Sequence, residues 1–193
     1  MKTIDQAFRL FLALTLLTGI IYPAVITLLG TAIFPKQANG SILSHDGQAI
    51  GSALIGQKFT ADRYFWSRPS AIDYNPLPSG GSNQGMTSAV LDSAVRERQQ
   101  LLMESNPGSE LVPADLLYTS GSGLDPHISP GAARFQIDRV ARARGLDNMG
   151  KIRLIESVEK LIEQPDFGIF GEPRINVLRL NLALDSAFAN ISQ

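Results

Sequence analysis

Between Leu10 and Phe34 the chain reads LFLALTLLTGIIYPAVITLLGTAIF, 25 residues without a charge. A hydrocarbon core about 30 Å thick takes about 20 apolar residues in a helix that rises ~1.5 Å per residue. The stretch is therefore long enough to cross a bilayer with some tilt, and no other part of the sequence is. It divides the chain into a short head, residues 1–9, a membrane helix, residues 10–34, and a body, residues 35–193. Lys2 and Arg9 precede the apolar run and a single Lys36 follows it closely. Positive flanks stay in the cytoplasm, so the head is expected there and the body outside. Gly30, Thr31 and Ala32 offer the small residues of a signal-peptidase site. The apolar region of a signal is only about 7–15 residues, however, so a retained anchor is expected.

A body of this size holds one soluble domain with its own core. Removing Lys2, Arg9 and Asp5 from totals of 17 basic and 18 acidic residues leaves it near minus two, which is no footprint for nucleic acid. The absence of cysteine excludes disulfides and thiolate metal sites, and two histidines are too few for a zinc-type cluster. Seventeen glycines and eleven prolines point to many loops. The fold class expected is a single N-terminal transmembrane helix followed by one α+β periplasmic domain.

Within the anchor, Thr15, Gly19, Pro23, Thr27 and Thr31 fall four residues apart and form an oblique ridge of compact side chains. Such a ridge lets another helix approach closely in lipid, where packing is the main force between helices. Pro23 leaves the Gly19 carbonyl without its helical donor. Beyond Pro35, Lys36–Ser41 reads as linker, and Asp46-Gly47 between two short apolar runs reads as the tip of a β-hairpin, with His45 exposed beside it. Gly51 to Phe59 approaches a phosphate-binding loop but fails it. Gln57 follows the second glycine and displaces the lysine by one residue, and Phe59 replaces the magnesium-binding hydroxyl.

Tyr64, Phe65 and Trp66 lie beside Arg68 and can form a contact surface or, for Phe65 and Trp66, core. Ser79–Gly85 reads as a loop whose glycines allow positive φ and whose amides could gather an anion. Ser88 can cap a helix to Ser105 with Val90, Leu91, Ala94, Val95 and Leu102 on its inner face. Pro113–Tyr118 reads as a strand, although the proline start allows one helical turn. A helix from Pro130 to Arg144 is expected to bury Ala133, Ile137, Val140 and Ala141, and to turn Arg134, Arg139, Arg142 and Arg144 outward, with Asp138 pairing to Arg142. A further helix starts at Asn148 and stops before Pro165. Alternation over Ile175–Leu180 argues a strand, with helix possible after it.

Serine, aspartate and histidine crowd together in Ser120-Gly121-Ser122-Gly123-Leu124-Asp125-Pro126-His127-Ile128-Ser129-Pro130. A hydrolase would need the acid to orient the imidazole and the imidazole to reach the hydroxyl. An extended backbone throws Asp125 and His127 to opposite sides of Pro126, so a triad built wholly in this loop is disfavoured. The local alternative has Ser129 capping the next helix while Asp125 and His127 fix the loop. Ser122, Gly123, Asp125, His127 and Ser129 are accordingly the candidate loop residues. The rival reading is an anchored extracytoplasmic hydrolase using Ser122 and His127 with a remote carboxylate such as Asp115.

Several motifs together resemble those of the C subunits of bacterial Kdp potassium-transporting ATPases. They are Thr18-Gly19 and Tyr22-Pro23 in the span, Gly51-Ser52 with Leu54-Ile55-Gly56-Gln57, Arg68-Pro69-Ser70-Ala71, Ser79-Gly80-Gly81-Ser82-Asn83 and Pro113-Ala114-Asp115. The run Gly123 to Pro130 and Gly171-Glu172-Pro173 through Asn176-Val177-Leu178 complete the likeness. One departure is Met86-Thr87-Ser88 after Gly85. The resemblance implies a non-catalytic accessory subunit beside a channel-like potassium-translocating subunit, a P-type ATPase catalytic subunit and a small single-span subunit. The ridge would dock the anchor in a bacterial inner membrane, and the body would lie in the periplasm and cover the potassium entrance. ATP, Mg and K+ would belong to the complex, and this chain would bind no cofactor or metal itself. The sequence contains no Asp-Lys-Thr-Gly phosphorylation motif.

Overall fold

The computed structural model describes residues 2–45, 47–108 and 111–188. They form two compact units, Met1–Ser52 and Ala53–Gln193. The first is dominated by one helical rod, Lys2–Ile33, built from α1 (Lys2–Leu16), a π turn (Leu17–Ile21) and α2 (Tyr22–Ile33). The head is thus helical too, with Arg9 paired to Asp5 at 3.1 Å. Pro23 explains the π turn. It has no N–H, its ring crowds the carbonyl four residues back, and the chain widens so that Tyr22 N donates to Leu17 O. Thr18 and Thr31 return their hydroxyls to the helix, at Leu14 O and Thr27 O.

The rod breaks at Phe34 (φ −125°, ψ 59°), and Pro35–Ala38 makes the helical turn α3 where a linker was expected. The hairpin is present. Strand β1 (Ile42–His45) pairs antiparallel with β2 (Gln48–Ser52), with His45 opposite Gln48 and a bulge after Leu43. Gly47 carries the expected positive φ of +77°, whereas Asp46 and the His45 side chain lie outside the described residues.

The second unit starts with Ala53–Ser88, which contains no helix or strand. There follow α4 (Ala89–Ser105), α5 (Ala114–Leu117), β3 (His127–Ile128), α6 (Pro130–Ala143), α7 (Asn148–Lys160), β4 (Ile175–Asn176) and α8 (Val177–Ala187). Four polar residues start the long helices by accepting a backbone N–H in the first turn. Ser88 accepts from Leu91, Ser129 from Ala132, Asp147 from Gly150 and Asn176 from Arg179. The third cap is Asp147, one residue before the start expected at Asn148. Gly145, at φ +64°, ends α6. Helix α6 is the centre of the core. Ala132, Ala133 and Val140 are wholly buried and join Leu154 and Val158 of α7, Leu180 and Leu184 of α8, and Phe65 in one cluster.

Five expectations are corrected. Pro113–Tyr118 forms the helical turn α5 and not a strand. Ile175–Leu180 is a strand only at its first two residues, where β4 pairs with β3. Asn176 then caps a helix, and Val177, Leu180, Asn181 and Leu184 are buried at helical spacing, so tertiary burial overrides the local alternation. Arg139 and Arg144, assigned to a solvated basic face, are 1% and 9% exposed. Asp138 pairs with Lys151 at 2.6 Å, not with Arg142, and Val90 remains exposed on α4.

What Arg139 and Arg144 do is satisfy a stretch of backbone that has no ladder of its own. Arg139 Nη1 donates to Asp62 O (2.6 Å) and Tyr64 O (3.0 Å), and its guanidinium lies 3.9 Å from the Trp66 ring centre. Arg144 Nε donates to Arg63 O at 2.8 Å, and Nη2 to Asp185. Phe65 exchanges two hydrogen bonds with the Asn181 amide, and Trp66 exchanges two with the Gln136 amide. Burial pulls the Arg139 guanidinium down to about 10, which leaves it charged at neutral pH. The substitution Gln136→Leu strands both Trp66 backbone groups and the Arg139 donor that Oε1 accepts. Chemical denaturation of the full chain should therefore show a loss of about 2–4 kcal/mol. Removing the exposed Arg134–Glu159 pair should change little, and equal effects from the two would contradict this assignment.

Candidate functional site

The loop Ser120–Pro130 is held between the irregular segment and strand β4. Ser70 Oγ donates to Gly123 O at 2.7 Å, Gly56 N to Leu124 O at 2.8 Å, and Val177 N to Pro126 O at 2.9 Å. Two glycines are required by close approach. A Cβ at Gly56 would lie 2.6 Å from Asp125 O, and one at Gly123, already at φ +69°, would lie 2.6 Å from Ile72 Cγ1. The Gly56 amide is therefore spent on a backbone carbonyl, not offered to a phosphate. The Ser79–Gly85 loop is used similarly. Gly80 N donates to Ser122 O, Gly81 packs on Gly121 O, and the positive φ falls on Asn83.

Asp125 is the hub of the loop. Its Oδ2 accepts from Arg68 Nη1 at 3.0 Å, and its Oδ1 accepts from the His127 amide at 3.0 Å, with His127 Nδ1 3.4 Å away. The expectation that Asp125 and His127 point apart is thus corrected, because the carboxylate folds back over Pro126 in an Asx turn. Burial alone would raise the Asp125 carboxyl. The bonds from the His127 ring and amide, with the Arg68 guanidinium, outweigh it and hold the group below the usual carboxylate range. On its other side His127 Nε2 lies 4.0 Å from Glu163, which is itself paired with Arg174 (3.4 Å) and Arg179 (3.1 Å).

Asp115 belongs to a different contact. Both its oxygens meet Ser129, accepting from N at 2.7 Å and from Oγ at 3.2 Å, so it fixes the residue that caps α6. Ser122 Oγ accepts from Leu124 N at 3.1 Å and is exposed. The structure therefore brings Asp125 to His127 and Asp115 to Ser129, and it does not join Ser122 to either pair. A cleft of about 350 Å³ runs past Arg68, Asp115, Asp125, His127, Glu172 and Arg174. Arg68 pairs there with Asp125, Arg174 pairs with Glu163 and Asp166, and Asp115 is bonded to Ser129. Among the described residues no cluster of three or more His, Asp or Glu side chains could hold a metal. Reading by sequence did not assign Arg68, Glu163 or Arg174 to this network. Arg68 precedes Pro69 among aromatics, and no spacing connects it to Asp125, 57 residues on.

A second cleft, of about 420 Å³, lies between the irregular segment and α4 and is walled by Phe59, Trp66, Tyr74, Leu101 and Leu116. Tyr74 OH donates to Arg68 O, and burial pushes its phenol up to about 12. Phe65 is core, as expected, and Trp66 is half-buried.

The sequence matches the family described as "K+-transporting ATPase, c chain" over residues 4–186. It is 50% identical over 185 residues to a potassium-transporting ATPase KdpC subunit of Methylococcus capsulatus, covering 93% of this chain and 95% of that protein. Proteins of the same name from Rhodopseudomonas palustris (50% identical, covering 97% and 99%) and Leptospira interrogans (48% identical, covering 99% and 97%) are similar over almost their whole length. With one apolar rod, a mixed helical and stranded body, and the Gly123–Pro130 loop tied through Asp125 and Ser129, the chain belongs to the family of c chains of the K+-transporting ATPase.

Proposed function

We propose that the chain is the accessory subunit that stabilises and assembles an ATP-driven potassium uptake pump and takes no catalytic part of its own. Its rod docks in the membrane through Thr15, Gly19, Pro23, Thr27 and Thr31, beside a channel-like potassium-translocating subunit. The body lies outside and covers the potassium entrance. Phosphorylation and ATP hydrolysis fall to a P-type ATPase subunit, with a small single-span subunit completing the complex. ATP, Mg and K+ are ligands of that complex.

The observation that carries this reading is that the chain buries none of its own apolar rod, so every face of the rod is open to lipid or to another helix. The π turn adds to it. A ridge with a four-residue period drifts around an α-helix, and the wider turn at Leu17–Ile21 partly reverses that drift between Thr15 and Pro23. The flanking charges support the outward body.

A Cβ at Gly19 would meet no other part of the described chain within 4 Å, so Gly19→Leu is aimed at a partner's close approach. Recovery of the potassium-translocating subunit with tagged Gly19→Leu or Thr27→Leu should fall on the order of tenfold, for about 1.4 kcal/mol of lost helix packing. Undiminished recovery would remove the docking claim. The hydrolase alternative requires Ser122 to be activated, but its hydroxyl is tied to Leu124 N and the Asp115 carboxylate to Ser129. A serine-reactive probe applied to the assembled pump should leave Ser122 unlabelled, and labelling there would revive the alternative.

Asp125 is a structural hub and not a potassium ligand, because its two oxygens are engaged by Arg68 and by the His127 amide. Its lowered pKa contributes stability that is present above the unfolded carboxyl value, ~3.9, and is lost as pH falls through the lower folded value. Asp125→Asn should therefore lower the melting temperature at neutral pH and flatten the acid limb of the stability curve. The apparent potassium affinity of the pump should be unchanged, and a shifted affinity with normal assembly would make Asp125 a ligand.

A further inference from the structure

Between helix α7 and the body's buried strand β4, residues Pro165–Gly171 form a tight hairpin that touches the loop network only at its stem, through Arg174. Asp166 and Phe170 exchange two backbone hydrogen bonds, of 2.9 and 3.0 Å, and Glu163 and Arg174 exchange two more at its base. Gly168 N donates to Pro165 O and Ile169 N to Asp166 O, so the tip satisfies its own amides. Arg174 braces the stem through Glu163 (3.4 Å) and Asp166 (3.6 Å). From this braced stem Phe167, Ile169 and Phe170 project at 93%, 78% and 65% exposure. Phe167 is also held at φ +55°, a conformation that L residues with large side chains avoid.

An apolar cluster this exposed, on a hairpin this fixed, has the properties of a preformed anchor, in which ordering cost is met before binding. We propose that this hairpin is a docking finger that seats Phe167, Ile169 and Phe170 in an apolar pocket with a cationic rim on another subunit of the same pump. The inference rests on the accessory-subunit reading above.

The choice of occupant follows from charge and shape. Asp166 is neutralised by Arg174 within the stem, residues 164–173 contain no cation of their own, and Glu172 leaves the finger negative, which sets it against an anionic lipid surface and toward a basic protein rim. The apolar side chains are phenylalanine and isoleucine, without the tryptophan or tyrosine that settle at headgroups. A rigid turn of strained aromatic geometry suits a pocket of fixed shape, whereas lipid imposes no shape on what enters it.

The test places a photoreactive benzoyl-phenylalanine at position 167 of the full chain in the assembled pump, followed by illumination and mass spectrometry of the adducts. The expected result is an adduct with one other pump subunit. An adduct with lipid, an adduct between two copies of this chain, or no adduct while the chain still co-purifies would each overturn the finger and leave the accessory-subunit reading standing. Failure of the unaltered chain to co-purify with the pump would overturn both. In parallel, the double substitution Phe167→Ser, Phe170→Ser should reduce recovery of the pump by about tenfold or more without changing the melting temperature of the chain. The exposed control Leu77→Ser should reduce neither, and equal recovery for the two would count against the finger.

Discussion

Residues 62–66 adopt neither helix nor strand, yet they carry the chain from exposed Asp62 and Arg63 to Phe65 in the core, where the backbone must be hydrogen-bonded. Side chains from two helices supply what a neighbouring strand would. Gln136 and Arg139 come from α6, and Asn181 comes from α8. The Gln136 and Asn181 amides each donate and accept, as a strand partner would, while the arginines only donate to carbonyls. Without these contacts the backbone groups of Phe65 and Trp66 would be left unsatisfied against a dry core, at a cost in free energy that loop flexibility cannot offset.

The loop network hangs from this lattice. Phe65 and Trp66 fix the course of the chain into Arg68, which reaches Asp125, and into Ser70, which holds Gly123 O. Asp125 then sets His127 at the start of β3, and β3 pairs with β4 immediately before the cap of α8. The helix that supplies Asn181 is thus positioned in part by the loop that Phe65 helps to place. Such closure gives a rigid body whose polar groups are committed to structure, in keeping with a part that covers or braces a neighbour. The apolar rod is built on the opposite principle, since it satisfies its backbone internally and leaves every side chain facing outward.

Much of this was legible in the sequence because it is local. A charge-free run, a capping serine before an apolar period, and Asp-Gly between short apolar runs act within a few residues, and α4, α6 and the hairpin stand where those signals put them. Arg139 and Arg144 were misplaced because a helical wheel assigns a charge to water unless its partners are known, and theirs are carbonyls about 75–81 residues away. The Ile175–Leu180 alternation misled for a related reason. Burial of Val177, Leu180, Asn181 and Leu184 on a helical face is decided by the packing around Phe65 and not by the hexapeptide itself. The Gly123–Pro130 run carried the family likeness, but its chemistry could not be read until Arg68 and Asp115 were seen to occupy its carboxylate contacts.

The functional account turns on the side of the membrane to which the anchor delivers this body. On the proposed orientation the body cannot meet cytoplasmic ATP and lies on the side from which potassium is taken up. The chain has no cysteine, so a single cysteine introduced at exposed Ser93 on α4 is a unique reporter. In intact cells carrying the assembled pump, a membrane-impermeant maleimide should label Ser93→Cys without permeabilisation. Labelling that appears only after the inner membrane is opened would place the body in the cytoplasm and contradict the central claim.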